Sequence, residues 1–253
     1  MTELTFKEEP LPSGKGDLFR IALWLLVMIL LPSMIIGFCM GIYYSLVAAA
    51  NNELAEFDVA AWFEQAPVIL AMMLGGSIFS LPLLLPATPG KGLRNALTFC
   101  RITTLERHKV ITTLAIAFVF FATVNLIDYL IPLPKEPFML QMQQGITSAS
   151  DIALMVLTVC LIAPVVEELI YRGWLFGRLE ATRKCGKYGA LIISTLVFIL
   201  IHSQYQTWVG YGAVAIMGLI FGLLRMRYNS TSYAIIAHIA LNSMSTISML
   251  LTR

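Results

Sequence analysis

The chain is poor in charge. Only 13% of its 253 residues are Asp, Glu, Lys or Arg, against 58% that are hydrophobic. Soluble domains carry about 25% charged residues, so too few are present to clothe a water-facing surface. The apolar content excludes a disordered chain, and the lack of sustained heptads excludes a coiled coil. A net charge of +2 offers no electrostatic footprint for nucleic acid. Cysteine is also sparse. Cys39, Cys100, Cys160 and Cys185 form no CxxC pair, which argues against both a zinc knuckle and a disulfide framework. Three of the four lie in or beside apolar runs, where a thiol packs as a small hydrophobe. There is no tandem repeat and no low-complexity tract. The class that remains is an all-α, polytopic transmembrane bundle in contact with the lipid bilayer.

A helix needs about 20 apolar residues to cross the hydrocarbon core. Seven runs are expected as spans, at about 18–47, 66–86, 110–131, 152–176, 188–203, 208–224 and 233–251. The fifth is short, so the fifth and sixth are expected to be tilted or partly re-entrant. The first is too long for a signal-peptide core and reads as a retained anchor. A basic, semi-apolar stretch near 92–107 reads as an interfacial helix. The expected organisation is a cytoplasmic tail over 1–17, N-terminal spans over 18–149 and a catalytic membrane core over 150–253. Gly37-x-x-x-Gly41 and Gly218-x-x-x-Gly222 permit close helix contacts.

Orientation follows from the basic residues. With a cytoplasmic N-terminus, all 17 Lys and Arg except Lys135 and Arg253 fall inside, as the positive-inside rule requires. The C-terminus is then outside. The short N-terminus without a soluble domain points to a prokaryotic inner or plasma membrane.

Charge within a bilayer costs about 2.5–3.5 kcal/mol per residue on insertion scales. The fourth run nevertheless carries Glu167, Glu168 and Arg172. Glu168 precedes Arg172 by four residues, the favourable order for an intrahelical ion pair. Glu167 points about 100° away around the helix and has no basic partner at helical spacing. One carboxylate thus reads as structural and the other as free for chemistry. Two of the three histidines also lie within spans. His202 shares a face with Phe198, and His238 with Asn242. The third, His108, sits among charged residues and reads as solvated.

At about 1.5 Å per residue, Glu167 and His238 each lie roughly 17 Å from the nearest cytoplasmic cation, and His202 roughly 22 Å. The spans therefore deliver Glu, His, His and Asn to one level, around a polar cavity expected to open on the cytoplasmic side. A carboxylate and an imidazole can share and deprotonate a water, and a second imidazole and an amide can donate to an oxyanion. Pro164 lacks an N–H and should kink the helix just before Glu167. Glu167, His202 and His238 could instead hold zinc with an open position. However, a ligating His normally leans on a further carboxylate, carbonyl or water, and no further acid is near once Glu168 pairs with Arg172. Side-chain activation without a cofactor is therefore the favoured expectation.

The blocks Glu167-Glu168-x-x-x-Arg172, Phe198-x-x-x-His202 and His238-x-x-x-Asn242 resemble, in order and spacing, the CPBP (CAAX protease and bacteriocin-processing) intramembrane proteases, also called the Abi family. This group includes the type II CAAX prenyl endopeptidases. The resemblance covers about residues 150–250. It implies that Glu167 and His202 activate water and that His238 and Asn242 form the oxyanion site, with Glu168, Arg172 and Phe198 in support. It also implies a membrane-embedded or lipidated protein or peptide as substrate, and allows an eighth span. Two other classes stay open on the same residues: a transporter relaying protons or metal through the buried Glu and His groups, and a non-catalytic scaffold.

Overall fold

The computed structural model describes residues 16–51, 58–182 and 185–252. Among them every regular element is helical. The expected 1–17 tail lies outside the described residues except for its last two, which already belong to α1 (Gly16–Ala50). A one-turn helix, α2 (Val59–Phe63), is capped by Asp58, whose carboxylate accepts from the amides of Ala60 and Ala61. Next, α3 (Ala66–Ser80) runs back along α1. Small residues let the two approach: a Cβ on Gly76 would stand 3.1 Å from the Ser33 hydroxyl, and one on Gly37 3.3 Å from Met72. The Ser80 hydroxyl closes the pair by donating to the Met28 carbonyl at 2.7 Å.

Two short helices, α4 (Leu84–Ala87) and α5 (Leu93–Phe99), lead to the long α6 (Arg107–Leu130). The interfacial helix expected near 92–107 is thus only Leu93–Phe99. Arg101 turns the chain with φ 55°. The backbone beyond it is held by the start of the last helix: Thr231 N–H donates to the Arg101 carbonyl, and Glu106 N–H to the Tyr233 hydroxyl. These tertiary bonds replace the helical ones. After α7 (Pro137–Gly145) comes a rod from Ala149 to Glu180. It consists of α8 (Ala149–Met155), a π-helical stretch Val156–Ile162, α9 (Ala163–Glu168), a second π-helical stretch Leu169–Leu175, and α10 (Phe176–Glu180). The chain ends with α11 (Gly186–Ile201), α12 (Trp208–Tyr228) and α13 (Thr231–Leu251).

Among the described residues, helices lie within each of the seven runs expected as spans. Five are long and apolar enough to cross a membrane; Ala66–Ser80 and Gly186–Ile201 are shorter. The second expected run, 66–86, is shorter as a helix, because α3 ends at Ser80 before Pro82 and the chain continues as a turn and α4. The core is centred on Trp174, Phe176, Phe198 and Phe221, all fully buried. Leu23, Leu26, Leu30, Phe118 and Val119 are instead exposed, as lipid-facing residues should be.

The two ends of the bundle differ in charge. One end is tied by Trp174 Nε1 donating to the Ala87 carbonyl, by Thr231 Oγ1 donating to that of Cys100, and by Arg225 beside Glu180. Arg20, Lys91, Arg94, Arg101, Arg107, Lys109, Arg178, Lys187, Arg225 and Arg227 lie at this end. The other end is tied by Gln141 to the Glu64 carbonyl and by Gln143 to that of Met249. Apart from Arg172 inside the bundle, the one remaining described cation, Lys135, lies there. Lys7, Lys15, Arg183, Lys184 and Arg253, which also entered the orientation reading, lie outside the described residues.

The rod packs without slack against the α5–α6 loop. A Cβ added to Gly173 would sit 2.8 Å from the Cβ and 3.2 Å from the Cα of Cys100. Gly173→Ala is expected to cost about 1–3 kcal/mol through overpacking. Thermal unfolding of the detergent-purified variant should show a lowered midpoint; an unchanged midpoint contradicts this packing.

Candidate active site

Pro164 shapes the rod where the motif begins. At the end of the first π-helical stretch the N–H of Ala163 reaches the carbonyl five residues back, that of Thr158. The next donor in that register would be Pro164, which has none. The Val159 carbonyl is therefore left open, and Asn242 Nδ2 on α13 donates to it at 2.9 Å. One amide hydrogen of Asn242 is committed to fixing the rod; its second N–H and its Oδ1 remain for chemistry. The sequence anticipated a kink at Pro164. The structure instead places the proline in the first turn of α9, directly after a π-helical segment, a feature frequent at functional sites.

Glu168 and Arg172 are both fully buried and pair at 3.0 Å. The Arg172 guanidinium also donates to the Gly218 carbonyl at 3.1 Å and lies over the Phe198 ring at 4.1 Å. Gly218 is the first glycine of the motif on α12, so its missing side chain opens that approach. The expectation that Arg172 alone occupies Glu168 needs correction. The same carboxylate oxygen, Oε1, lies 3.0 Å from Nδ1 of His238. A carboxylate only accepts, so Nδ1 carries the proton and the tautomer is set by Glu168. The carboxylate said to be lacking behind the histidines is thus present.

Glu167 is about a quarter exposed, and its Oε2 lies 4.0 Å from Nε2 of His238. That oxygen is buried and accepts no hydrogen bond. In the neutral ring that carries its proton on Nδ1, Nε2 is also an acceptor. Two acceptors 4.0 Å apart repel unless a donor sits between them. A water giving one hydrogen to each spans about that distance at ordinary hydrogen-bond lengths. His202 caps α11. Its Nδ1 lies 2.6 Å from the Phe198 carbonyl, which fixes the proton there and turns Nε2 outward. Its ring stacks on Tyr205, with planes 3° apart.

Glu167, Phe198, His202, His238 and Asn242 all line one cavity of about 410 Å³; Glu168 and Arg172 do not line it. Of the two histidines, His238 and not His202 comes within ion-pair reach of Glu167. His108 lies apart, three-quarters exposed beside Glu106. The cavity wall continues through Asp128, Lys135 and Glu136 to Gln204, Tyr205 and Thr207. It therefore opens at the end away from the basic residues, whereas the sequence reading expected it on the side that they occupy. The error arose because depth was counted from the nearest cation. That count gives the distance to the level of the site but not the end from which it is reached.

Two residues at this mouth were missed. Glu136 Oε1 accepts from Gln206 N–H at 2.8 Å, and its Oε2 accepts from the Thr207 N–H and hydroxyl at 3.1 and 2.7 Å. It thereby ties the loop before α7 to the turn that carries Tyr205 against His202. Burial works to raise its pKa, but the Thr207 hydroxyl and the amides of Gln206, Thr207 and Phe138 outweigh it and hold the carboxyl below the ordinary glutamate range. Burial, then the charges of Glu167 and Glu136, push the Tyr205 phenol up to about 12, so it stays a proton donor. A lone acid before a proline gave no sequence signal for this clasp.

Because the Glu136 pKa is depressed by folding, its contribution is present above the ordinary glutamate range and is lost as pH falls through the lowered value. Glu136→Ala is expected to lower turnover while the protein stays folded. The check is initial rates beside the near-ultraviolet circular dichroism of the variant, and wild-type rates contradict a positioning role.

Among the described residues no three His, Cys, Asp or Glu side chains are arranged to hold a metal ion. Glu167, His202 and His238 remain donor types that zinc accepts.

Residues 149–244 match the family model for type II CAAX prenyl endopeptidases, Rce1-like. The resemblance read from the three motifs is thus shown over that segment. A Bacillus subtilis (strain 168) protein named "Putative membrane peptidase YdiL" is 29% identical over 99 residues, 39% of this chain and 38% of that protein. An Escherichia coli "Uncharacterized 24.3 kDa protein" is 28% identical over 120 residues, 47% of this chain and 55% of that protein. The chain thus spans about half the length of one of these relatives and less of the other. No solved structure matches it. The family match and the five long apolar helices together make this an integral membrane protein.

Proposed function

We propose that the protein is an intramembrane endopeptidase that hydrolyses a peptide bond of a membrane-embedded or lipidated polypeptide. The observation that carries this reading is the unpartnered Glu167 carboxylate oxygen facing His238 Nε2 at 4.0 Å in the cavity wall. The pair holds a water. Glu167 takes one of its protons as the oxygen attacks the scissile carbonyl, acting as general base. The second N–H of Asn242 and the Tyr205 phenol are the neutral donors in reach of the cavity for the resulting oxyanion. The proton on Glu167 then passes to the leaving amine. His202 Nε2 faces the same space as a second proton acceptor. In this arrangement the water belongs to Glu167 with His238, whereas the family resemblance assigns it to Glu167 with His202.

Glu168 holds His238 in the required tautomer, and Arg172 pairs directly with Glu168. No step in this scheme uses zinc. The experiment is a panel of quenched-fluorescent peptides in detergent micelles, with wild type and Glu167→Ala compared. Cleavage by wild type alone supports the enzyme. Peptides left intact by both, with proton or metal flux in vesicles that needs Glu167, would select a transporter instead. Prolonged chelation is expected to leave the rate unchanged. Stoichiometric zinc, whose removal stops cleavage and whose return restores it, overturns the side-chain mechanism.

A further inference from the structure

The cavity and the cations occupy opposite ends of the bundle. Every described basic side chain outside the rod interior, Lys135 excepted, lies at the end tied by Trp174 to Ala87 and by Thr231 to Cys100. The cavity is walled at its outer rim by Lys135, Glu136, Gln204 and Thr207, from the two loops at the other end. A neighbouring groove of about 530 Å³ shares Asp128, Lys135 and Glu136 with it and extends to Thr252, the last described residue of that end. No residue of the basic loops lines either space.

Short loops rich in Lys and Arg stay in the cytoplasm, and acidic residues count little in that choice. We infer that the site is served from the extracytoplasmic face, so that its substrates are polypeptide segments already across the membrane: exported peptides or the outer juxtamembrane segments of membrane proteins. The polar character of the rim fits such a substrate. The Lys135–Asp128 pair at 2.6 Å and the Glu136 clasp present charge and backbone-binding groups to an extended peptide. A lipidated tail lying on the cytoplasmic leaflet would meet the basic end, whose loops line neither space. The inference rests on the peptidase reading for the word substrate, but the sidedness is read without turnover.

The test is labelling of single cysteine variants in intact cells by a membrane-impermeant maleimide, followed by mass shift, with wild type as the blank. Lys135→Cys and Gln206→Cys mark the cavity end. Lys187→Cys and Lys91→Cys mark the basic end, and two positions at each end guard against one variant failing to fold. The first pair should gain the label in intact cells, and the second pair only after permeabilisation. The reverse pattern, or equal labelling of both pairs in intact cells, overturns the inference. A protein that labels as expected but cleaves no peptide, even when detergent exposes both faces, keeps the sidedness and removes the peptidase.

Discussion

Glu167→Gln is expected to reduce turnover by about 10²–10⁴-fold, the usual contribution of a positioned general base, while the protein remains folded. The substitution keeps the shape of the side chain. It leaves Glu168, Arg172 and His238 in place, because none of their mutual contacts uses Glu167. What is lost is the acceptor of the water's proton. The amide cannot take up that proton, and it can donate its own hydrogen to His238 Nε2, filling the gap that the water needs. Initial rates with a cleaved peptide, together with size-exclusion profiles of both proteins, measure this. A variant that retained wild-type rates would show that Glu167 is a packing group and that the base lies elsewhere.

The neighbouring carboxylate should fail in a different way. Glu168→Gln leaves the Arg172 charge without a counter-ion in a site with no solvent access. Breaking a buried pair in this manner costs about 3–5 kcal/mol. The Gly218 carbonyl and the Phe198 ring stay close to the guanidinium and offset part of that cost. Loss of yield and an earlier thermal transition are expected, together with lower turnover, because the neutral amide holds the His238 proton less firmly. If both glutamine variants proved equally stable and equally inactive, the division of labour between the two acids would be wrong.

The pairing of Glu168, as distinct from its role, was legible in the sequence. Helical spacing alone put Glu168 with Arg172 and turned Glu167 away, and both statements describe the geometry found. The hydrophobic runs located the five long apolar helices, because apolar length is a property of composition. Their exact ends were less legible. Pro82 and the bonds from α13 to the 100–106 loop decide them, and the latter are contacts between segments more than a hundred residues apart. The same limit explains what was missed at the site. One Glu168 oxygen serving both Arg172 and His238, Asn242 filling the carbonyl that Pro164 leaves open, and Glu136 clasping the His202 turn are all pairings across the bundle. No periodicity within one helix reports them. The Glu167–His238 contact belongs to the same class. Spacing brought both residues to one level, and only the packing of α13 against the rod chose His238 over His202 as the neighbour.

The most direct test of the central claim is to follow the oxygen of the attacking water. Protein reconstituted in lipid vesicles is incubated with a peptide library in ¹⁸O-labelled water, and the products are read by mass spectrometry at early times. Hydrolysis by an activated water predicts new C-termini that each carry one solvent oxygen, formed by wild type and absent with Glu167→Gln. Cleavage that persists unchanged in Glu167→Gln, or an intact library alongside a folded wild-type protein on both faces of the vesicle, would contradict it.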